Sequence, residues 1–381
     1  MPTTEQKQRG YLHGERNGTI TTLIPAPAEL AAAEPEVTVH HTADGVAFVR
    51  TPEDRFADLP DYPFAPHYAV IDGLQMHYLD EGPRDGEPVL LLHGQPASSY
   101  LYRRMVTPLA EAGYRVIAPD LIGFGKSDKP IDLRFHHFER QVALVKAFIQ
   151  TLGLDAISLF AQDWGSCIGL RIVGDRPDLF ARVAISNGQL PVFHPPMFYI
   201  PEPVELDPAA PSMLEALGPT VGDPFPVAFQ AWINFTLTSP GFDPSRMIAY
   251  MCAAGGRPLS EAEIAAYNAP FPSLLFRAGP RAFPSMVNQC GTRNAAAWRG
   301  LAGFARPFLH VRGTLDTQFG SQEMQDSMTT IIPGAKGQPH TALEAGHYIQ
   351  DNKGEELAAL LVDFFAANPI AVSPVSRVFG A

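Results

Sequence analysis

The sequence has few cysteines and no long apolar run. Its three cysteines, at positions 167, 252 and 290, are odd in number and widely spaced, which argues against a disulfide framework or a zinc site and indicates reduced thiols in a cytoplasmic protein. No apolar stretch reaches the roughly 20 residues that a membrane helix requires. Lys7 and Arg9 near the N-terminus are not followed by an apolar segment, so we expect no secretory signal.

Basic residues are also scarce relative to acidic ones. The chain has 28 lysines and arginines against 40 aspartates and glutamates, a formal net charge of −12 at pH 7. An excess of negative charge is repelled by phosphate backbones and anionic headgroups, so we expect neither nucleic acid nor a membrane as a partner. Hydrophobic residues, by contrast, make up 46% of the 381 residues, which is ample for a large core.

One short segment combines a strand pattern, a sharp turn and a helix pattern around a single acidic residue. The apolar residues 157–162 predict a buried strand, and residues 164–176 have the spacing of a helix. The α/β-hydrolase pattern G-x-S-x-G places a nucleophile on such a turn, with its side chain exposed above the sheet. Here the five residues are Ala161-Gln162-Asp163-Trp164-Gly165, so an aspartate takes the place of the serine.

The identity of Asp163 determines which chemistry this turn could perform. A serine needs a neighbouring base to become a nucleophile, whereas an aspartate is already an anion at neutral pH. It can attack an electrophilic carbon directly and leave an ester on the enzyme. The N-terminus of the following helix favours the negative charge. The alternative interpretation is that Asp163 only caps this helix.

The order of predicted elements indicates an α/β fold with a mostly parallel, doubly wound sheet. Strands are predicted at 68–71, 74–79, 89–92, 115–118, 157–162, 182–186, 308–312 and 341–345, with helices at 101–112, 138–152, 164–176 and 355–365. We expect four parts: a poorly ordered N-terminal extension (1–48), the first part of the core (49–190), an inserted helical cap (191–304), and the second part of the core with a C-terminal tail (305–381).

A candidate triad follows in the chain order Asp163, Asp316, His347, which is the order of α/β hydrolases. His347 follows the last predicted strand, where it could draw a proton from the water that hydrolyses the ester. Asp316 follows the strand at 308–312 and could orient the imidazole. The other position for this acid, after the strand at 182–186, is Asn187, which cannot carry the charge.

Backbone and indole N–H groups complete the candidate site. The N–H groups of Gln95 and Trp164 are expected to form an oxyanion hole, while His93 is expected to be structural. An indole donates one hydrogen bond and accepts none, so Trp164 beside the nucleophile could bind a departing anion. Trp232 in the cap is the candidate second donor, with apolar packing as the alternative; Trp298 reads as helix packing.

With these residues in view, the sequence resembles the haloalkane dehalogenases of the α/β-hydrolase superfamily from about residue 50 to 351. The stretches that carry the resemblance include Tyr62-Pro63-Phe64, His93-Gly94-Gln95-Pro96, Gln162-Asp163-Trp164-Gly165, Ala269-Pro270-Phe271-Pro272 and Gly346-His347-Tyr348-Ile349-Gln350. The resemblance implies an aspartate nucleophile, a histidine base, two indoles for the halide and no cofactor. Its partners would be a small apolar halogenated substrate, water and a halide ion. Most members of the subgroup have Glu in place of Gln95.

Three other functions remain open at this point. An epoxide hydrolase also uses an aspartate nucleophile, but needs cap tyrosines, for which Tyr199, Tyr250 and Tyr267 are available. A catalytically silent binding protein conflicts with the complete triad, and a serine esterase conflicts with the aspartate at the turn. We therefore expect hydrolysis of small haloalkanes to a primary alcohol and halide, with epoxide hydrolysis as the alternative.

Overall fold

An eight-stranded, mostly parallel sheet forms the centre of the computed structural model, which describes residues 26–193 and 225–370 and the backbone of two short strands, Glu15–Arg16 and Thr19–Ile20. The strands are β1 (His67–Ile71), β2 (Leu74–Glu81), β3 (Pro88–Leu92), β4 (Arg115–Pro119), β5 (Ile157–Gln162), β6 (Phe180–Ser186), β7 (Phe308–Gly313) and β8 (Thr341–Leu343). Their spatial order is β8-β7-β6-β5-β3-β4-β2-β1, and β2 runs opposite to the other seven strands of this sheet. The predicted strands are confirmed.

Helices cover the sheet and extend beyond it. They are α1 (Pro27–Ala33), α2 (Arg103–Glu111), α3 (Phe138–Thr151), α4 (Trp164–Asp175), α5 (Phe225–Thr238), α6 (Pro244–Ala254), α7 (Glu261–Asn268), α8 (Ala278–Ala282), α9 (Thr292–Leu301), α10 (Gln322–Thr329) and α11 (Ile349–Ala367). Helix α11 begins earlier than the predicted start at residue 355. Lys353 has non-helical backbone angles inside it, and this bend interrupts the apolar periodicity on which the prediction depended.

The central strands are buried on both faces, as their continuous apolar sequences predict. In β3, Val89 and Leu91 pack into one apolar cluster with α2 and α11, whereas Leu90 and Leu92 pack into the other with α3 and α4. Successive side chains of a strand point to opposite faces, so one run of apolar residues supplies two cores. This arrangement confirms the doubly wound architecture.

Part of the predicted N-terminal extension is folded. Helix α1 packs Leu30 against Leu275 and Phe276, and Ser273 donates a hydrogen bond of 2.7 Å to Glu34. The strands His40–His41, Ala47–Val49 and Lys129–Pro130 form a small separate sheet. Residues 26–48 thus contain regular structure within the predicted extension, because their few apolar side chains find partners in a distant part of the chain.

The segment between β6 and β7 contains the expected helices. Helices α5 to α8 follow one another, and the proline-rich residues 194–224 lie outside the described part of the chain. Helix α9, although within the predicted cap range, packs against core helix α4: a Cβ atom at Gly300 would collide with the backbone of Gly174. The two glycines allow this close helix contact.

A buried group of charged residues joins α7 to the core, and we call it the Arg103 cluster. Arg103 on α2 lies 2.7 Å from Glu263 on α7 and 2.6 Å from Asp351 on α11. Tyr267 donates a hydrogen bond of 2.5 Å to Asp351. The side chains of Arg103 and Asp351 are fully buried, so this cluster fixes one edge of the helical segment to the sheet.

Candidate active site

Four of the predicted site residues meet at one edge of the sheet: Gln95, Asp163, Asp316 and His347. Parallel strands place their carboxyl ends together, and ligand sites of open α/β sheets form there. Each of five strands is followed there by a polar residue of the site: β3 by Gln95, β5 by Asp163, β6 by Asn187, β7 by Asp316 and β8 by His347.

Asp163 lies in a strained turn between β5 and α4. Its backbone angles are φ 53° and ψ −127°, a conformation that costs a residue other than glycine about 1–3 kcal/mol. The carbonyl of Asp163 accepts hydrogen bonds from the N–H groups of Ser166 and Cys167, which start the helix. Its carboxylate makes no capping hydrogen bond, so the alternative that Asp163 merely caps α4 is not supported.

The two carboxylate oxygens of Asp163 have different surroundings. Oδ1 accepts a hydrogen bond of 2.8 Å from the backbone N–H of Gln95. Oδ2 lies 3.5 Å from Nε2 of His347, beyond normal hydrogen-bond length. Gly94 allows this approach, because a Cβ atom there would collide with the carboxylate. Oδ1 is thus held in place by a hydrogen bond, and Oδ2 has no close partner that would prevent it from reacting.

His347 and Asp316 form the expected pair. Nδ1 of His347 lies 2.8 Å from Oδ2 of Asp316, and both side chains are almost fully buried. Burial disfavours the charged imidazole, but the carboxylates of Asp316 and Asp163 prevail and raise the pKa of His347 to about 10. Burial also opposes the ionised Asp316, but His347 and the N–H groups of Gln318 and Phe319 lower the pKa of Asp316.

Asn187 has a role that the sequence did not reveal. Its side-chain nitrogen donates hydrogen bonds of 2.8 Å to the carbonyl of Gly346 and 3.3 Å to that of His347, while its oxygen accepts one of 2.8 Å from the N–H of Gly313. The residue ties the His347 loop to the end of β7. The position after β6, where an alternative acid could have stood, therefore holds an amide that joins two loops of the site.

Gln95 and His93 make structural contacts after β3. The Gln95 side-chain amide donates a hydrogen bond of 2.8 Å to the carbonyl of Pro280 in α8, and Tyr348 donates one of 3.1 Å to the Gln95 carbonyl. A glutamate in this position could not donate to Pro280 when ionised. His93 is buried between the Gly94 carbonyl and the Leu121 N–H, as expected of a structural residue.

The three tryptophans differ in what their indole N–H groups contact. Trp298 donates a hydrogen bond of 2.9 Å to the carbonyl of Leu190, so its N–H is committed to packing, as expected. Trp164 packs edge-on against Phe283, and Trp232 packs among the rings of α5 and Phe242. Among the described residues, neither of these two indole N–H groups has an acceptor.

Of the three candidate tyrosines of an epoxide hydrolase, the two in the described part of the chain are not placed as that function needs. The hydroxyl of Tyr267 is buried and bonded to Asp351 in the Arg103 cluster. Tyr250 is 44% exposed on α6. Tyr199 lies outside the described residues.

Neither a metal-binding cluster nor a membrane-spanning helix is found among the described residues. Across residues 26–193 and 225–370, no group of histidine, cysteine, aspartate and glutamate side chains is arranged to hold a metal ion. Within the same ranges, no helix is both long and apolar enough to cross a membrane.

Comparison with known proteins agrees with this geometry. Residues 87–353 match a family described as the α/β-hydrolase fold. A haloalkane dehalogenase from Psychrobacter cryohalolentis is 41% identical over 334 residues, covering 84% of this chain and 99% of that protein. Another from Mycobacterium marinum is 41% identical over 326 residues, covering 83% and 99% respectively.

A solved structure gives the same result. The tetrameric haloalkane dehalogenase DpaA from Paraglaciecola agarilytica NO2 superimposes with a TM-score of 0.67 at 30% sequence identity, covering 82% of this chain and 96% of that one. The chain therefore belongs to the α/β-hydrolase fold family and, within it, to the haloalkane dehalogenases.

Proposed function

We propose that the chain hydrolyses small haloalkanes to a primary alcohol and a halide through a covalent ester on Asp163. The observation that carries this proposal is the Asp163 carboxylate itself. It lies in a strained turn, has one oxygen fixed by Gln95, and has the other beside the His347–Asp316 pair.

The first step is displacement of the halide by Oδ2 of Asp163. Oδ1 is already bonded to the Gln95 N–H, so Oδ2 is the oxygen that reaches the carbon. A C–O bond forms as the carbon–halogen bond breaks, and the halide departs with the bonding electron pair. The indole N–H groups of Trp164 and Trp232 receive it, since both lack an acceptor among the described residues.

The second step is hydrolysis of the ester by water. His347 takes a proton from the water at Nε2, and the resulting hydroxide attacks the ester carbonyl carbon. The Gln95 and Trp164 backbone N–H groups stabilise the negative oxygen of the intermediate. The alcohol leaves with the proton of the regenerated acid, and His347 releases the second proton to solvent.

Formation of the ester also prepares the base. In the free enzyme the Asp163 carboxylate helps to raise the pKa of His347, which favours its protonated form. Esterification removes that negative charge and leaves Asp316 as the neighbouring anion. The pKa of His347 then falls, so the neutral imidazole becomes available at the stage at which a base is needed.

The surroundings favour an apolar substrate. Phe138 and Phe283 contact Trp164, and Met247 lies against Tyr348 next to the catalytic histidine. Such side chains exclude water from the carbon–halogen bond and select for alkyl groups. A cytoplasmic location fits the three buried, unpaired thiols.

A panel of brominated and chlorinated alkanes tests the proposal. We expect purified protein to release halide and acid in equal amounts, together with the alcohol. An epoxide panel run in parallel should yield no diol. Absence of halide release from every haloalkane, or efficient diol formation, would contradict the assignment.

A further inference from the structure

The side chain of Gln162 lies against the proposed base, although no step above uses it. Gln162 is the last residue of β5, directly before Asp163, and its side chain is fully buried. Its amide nitrogen lies 3.0 Å from Nε2 of His347 and 3.1 Å from the carbonyl oxygen of the same residue. Its amide oxygen has no hydrogen-bond partner in the described part of the chain.

The His347 carbonyl determines which way this amide faces. A carbonyl oxygen can only accept a hydrogen bond, so the amide must direct its nitrogen and not its oxygen towards His347. The two amide hydrogens can then serve the carbonyl and Nε2 together. Nε2 is thereby an acceptor, while Nδ1 carries the proton that Asp316 accepts.

We propose that Gln162 is a positioning residue for ester hydrolysis, whose amide N–H favours an unprotonated Nε2 of His347 once the ester on Asp163 has formed. This inference rests on the function proposed above and deepens it. When Nε2 takes a proton from water, the Gln162 amide loses that acceptor and keeps its bond to the carbonyl. The amide therefore disfavours the charged imidazole and favours the neutral base while the ester is present.

The charged groups around the ring act in the opposite sense. Asp316 faces Nδ1 and Asp163 faces Nε2, and both anions favour a protonated imidazole. The Tyr348 ring packs edge-on against the imidazole, but its hydroxyl is bonded to the Gln95 carbonyl. Once Asp163 is an ester, the competition is between Asp316 and the amide of Gln162. Loss of the amide donor thus raises the pKa of the base in the intermediate.

A purely structural role would have a different consequence. Burial of an amide with an unpaired oxygen affects folding stability whichever group its nitrogen contacts. A purely structural role of Gln162 would not change the pH at which His347 titrates. The pH dependence of ester hydrolysis separates the two roles.

Gln162→Met and Gln162→Glu are the informative variants. Methionine keeps the length but removes the donor, and glutamate replaces the donor with an acceptor for a protonated Nε2. Gln141→Met is a matched control. Gln141 is also fully buried, with its amide nitrogen 3.4 Å from both a histidine nitrogen (His136) and a backbone carbonyl (Ile122), but it lies on α3.

Single turnovers with a bromoalkane between pH 5 and pH 10 provide the measurement, with bromide and alcohol followed separately. We expect Gln162→Met to shift the acidic limb of alcohol formation upward by about one pH unit. On the acidic limb itself, alcohol formation should fall by up to about tenfold, with the bromide burst unchanged. Gln162→Glu should shift the limb further, and Gln141→Met should not shift it.

Thermal unfolding followed by circular dichroism shows whether each variant is folded. If Gln162→Met does not fold, the pH dependence of Gln162→Glu tests the role of Gln162. An unshifted acidic limb in a folded Gln162 variant would overturn the role of Gln162. Failure of the wild-type enzyme to release bromide would instead overturn the proposed function, so the two failures are distinguishable.

Discussion

The protein contains two buried polar clusters in which one basic side chain lies between two carboxylates, but the distances in the two clusters differ. In the Arg103 cluster, a cation lies within 2.7 Å of each of two anions, and the central side chains are fully buried. In the candidate active site, two anions flank one histidine, and the nearer oxygen of Asp163 remains 3.5 Å from it. The backbone at Asp163 is also strained.

The difference shows how the same residue types serve stability or reactivity. Closely paired opposite charges stabilise each other in a dry interior, and removing one of them leaves a buried charge poorly compensated. A carboxylate with one oxygen left without a close partner keeps its capacity to react. We therefore expect substitutions in the active site to reduce activity and those in the Arg103 cluster to reduce stability.

Replacing Asp163 by Asn should have the largest effect on activity. The amide has nearly the same shape and can still accept from the Gln95 N–H, but it is not a nucleophile towards saturated carbon. We expect halide release to fall by at least about 10⁴-fold, with a thermal midpoint close to that of the wild type. Activity within tenfold of wild type would mean that another group forms the ester.

Asp316→Asn should separate the two steps. The amide leaves Nδ1 without its anionic partner and can hold the imidazole in the wrong tautomer, a change that lowers turnover by about 10⁴-fold in a related triad. We expect the first halide burst to persist while alcohol formation nearly stops. Equal loss of both steps would show that Asp316 acts before the ester forms.

Arg103→Met tests the other cluster. It leaves Asp351 fully buried with Arg257, at 3.9 Å, as its remaining cation, so we expect the free energy of unfolding to fall by about 3–5 kcal/mol. Denaturant unfolding gives the stability, and halide release per folded molecule should change only a few-fold. Arg176→Ala, which removes an exposed pair with Asp178, should leave stability unchanged. An unchanged free energy of unfolding, together with a large fall in halide release per folded molecule, would contradict the comparison.

Trp232→Phe should have a smaller effect, confined to halide binding. Losing one N–H donor to an anion weakens binding by about 1.5–3 kcal/mol, or roughly tenfold or more. Product inhibition by bromide measures this change. Trp298→Phe is the control, since its N–H is bonded to Leu190. The Trp298→Phe variant should lower stability without weakening bromide binding. Equal inhibition of the wild type and of Trp232→Phe by bromide would show that Trp232 does not bind the halide.

The sequence predicted the elements of the site that depend on strand order. Asp163, Asp316 and His347 each follow a strand of a parallel sheet, so their convergence follows from topology. The roles of Gln162 and Asn187 depend on contacts with residues about 160 to 185 positions away, and an amide side chain has no signature of its own. Only the assembled sheet brings these groups to the histidine.

The sequence did not predict local structure where apolar residues are few or their periodicity is interrupted. Residues 26–48 are rich in Ala, Glu and Pro, and their order depends on Leu275 and Phe276, far along the chain. Helix α11 was placed too late because Lys353 interrupts its periodicity. In both cases tertiary packing outweighed the local pattern.

Trapping the ester on Asp163 tests the central claim most directly. His347→Phe removes the base, so a bromobutane-treated sample of this variant should retain the alkyl group after one displacement. We expect intact-protein mass spectrometry to show the addition of one butyl group, and peptide mapping to place it on Asp163. An unmodified protein after bromide release, or a butyl group on any other residue, would contradict the account.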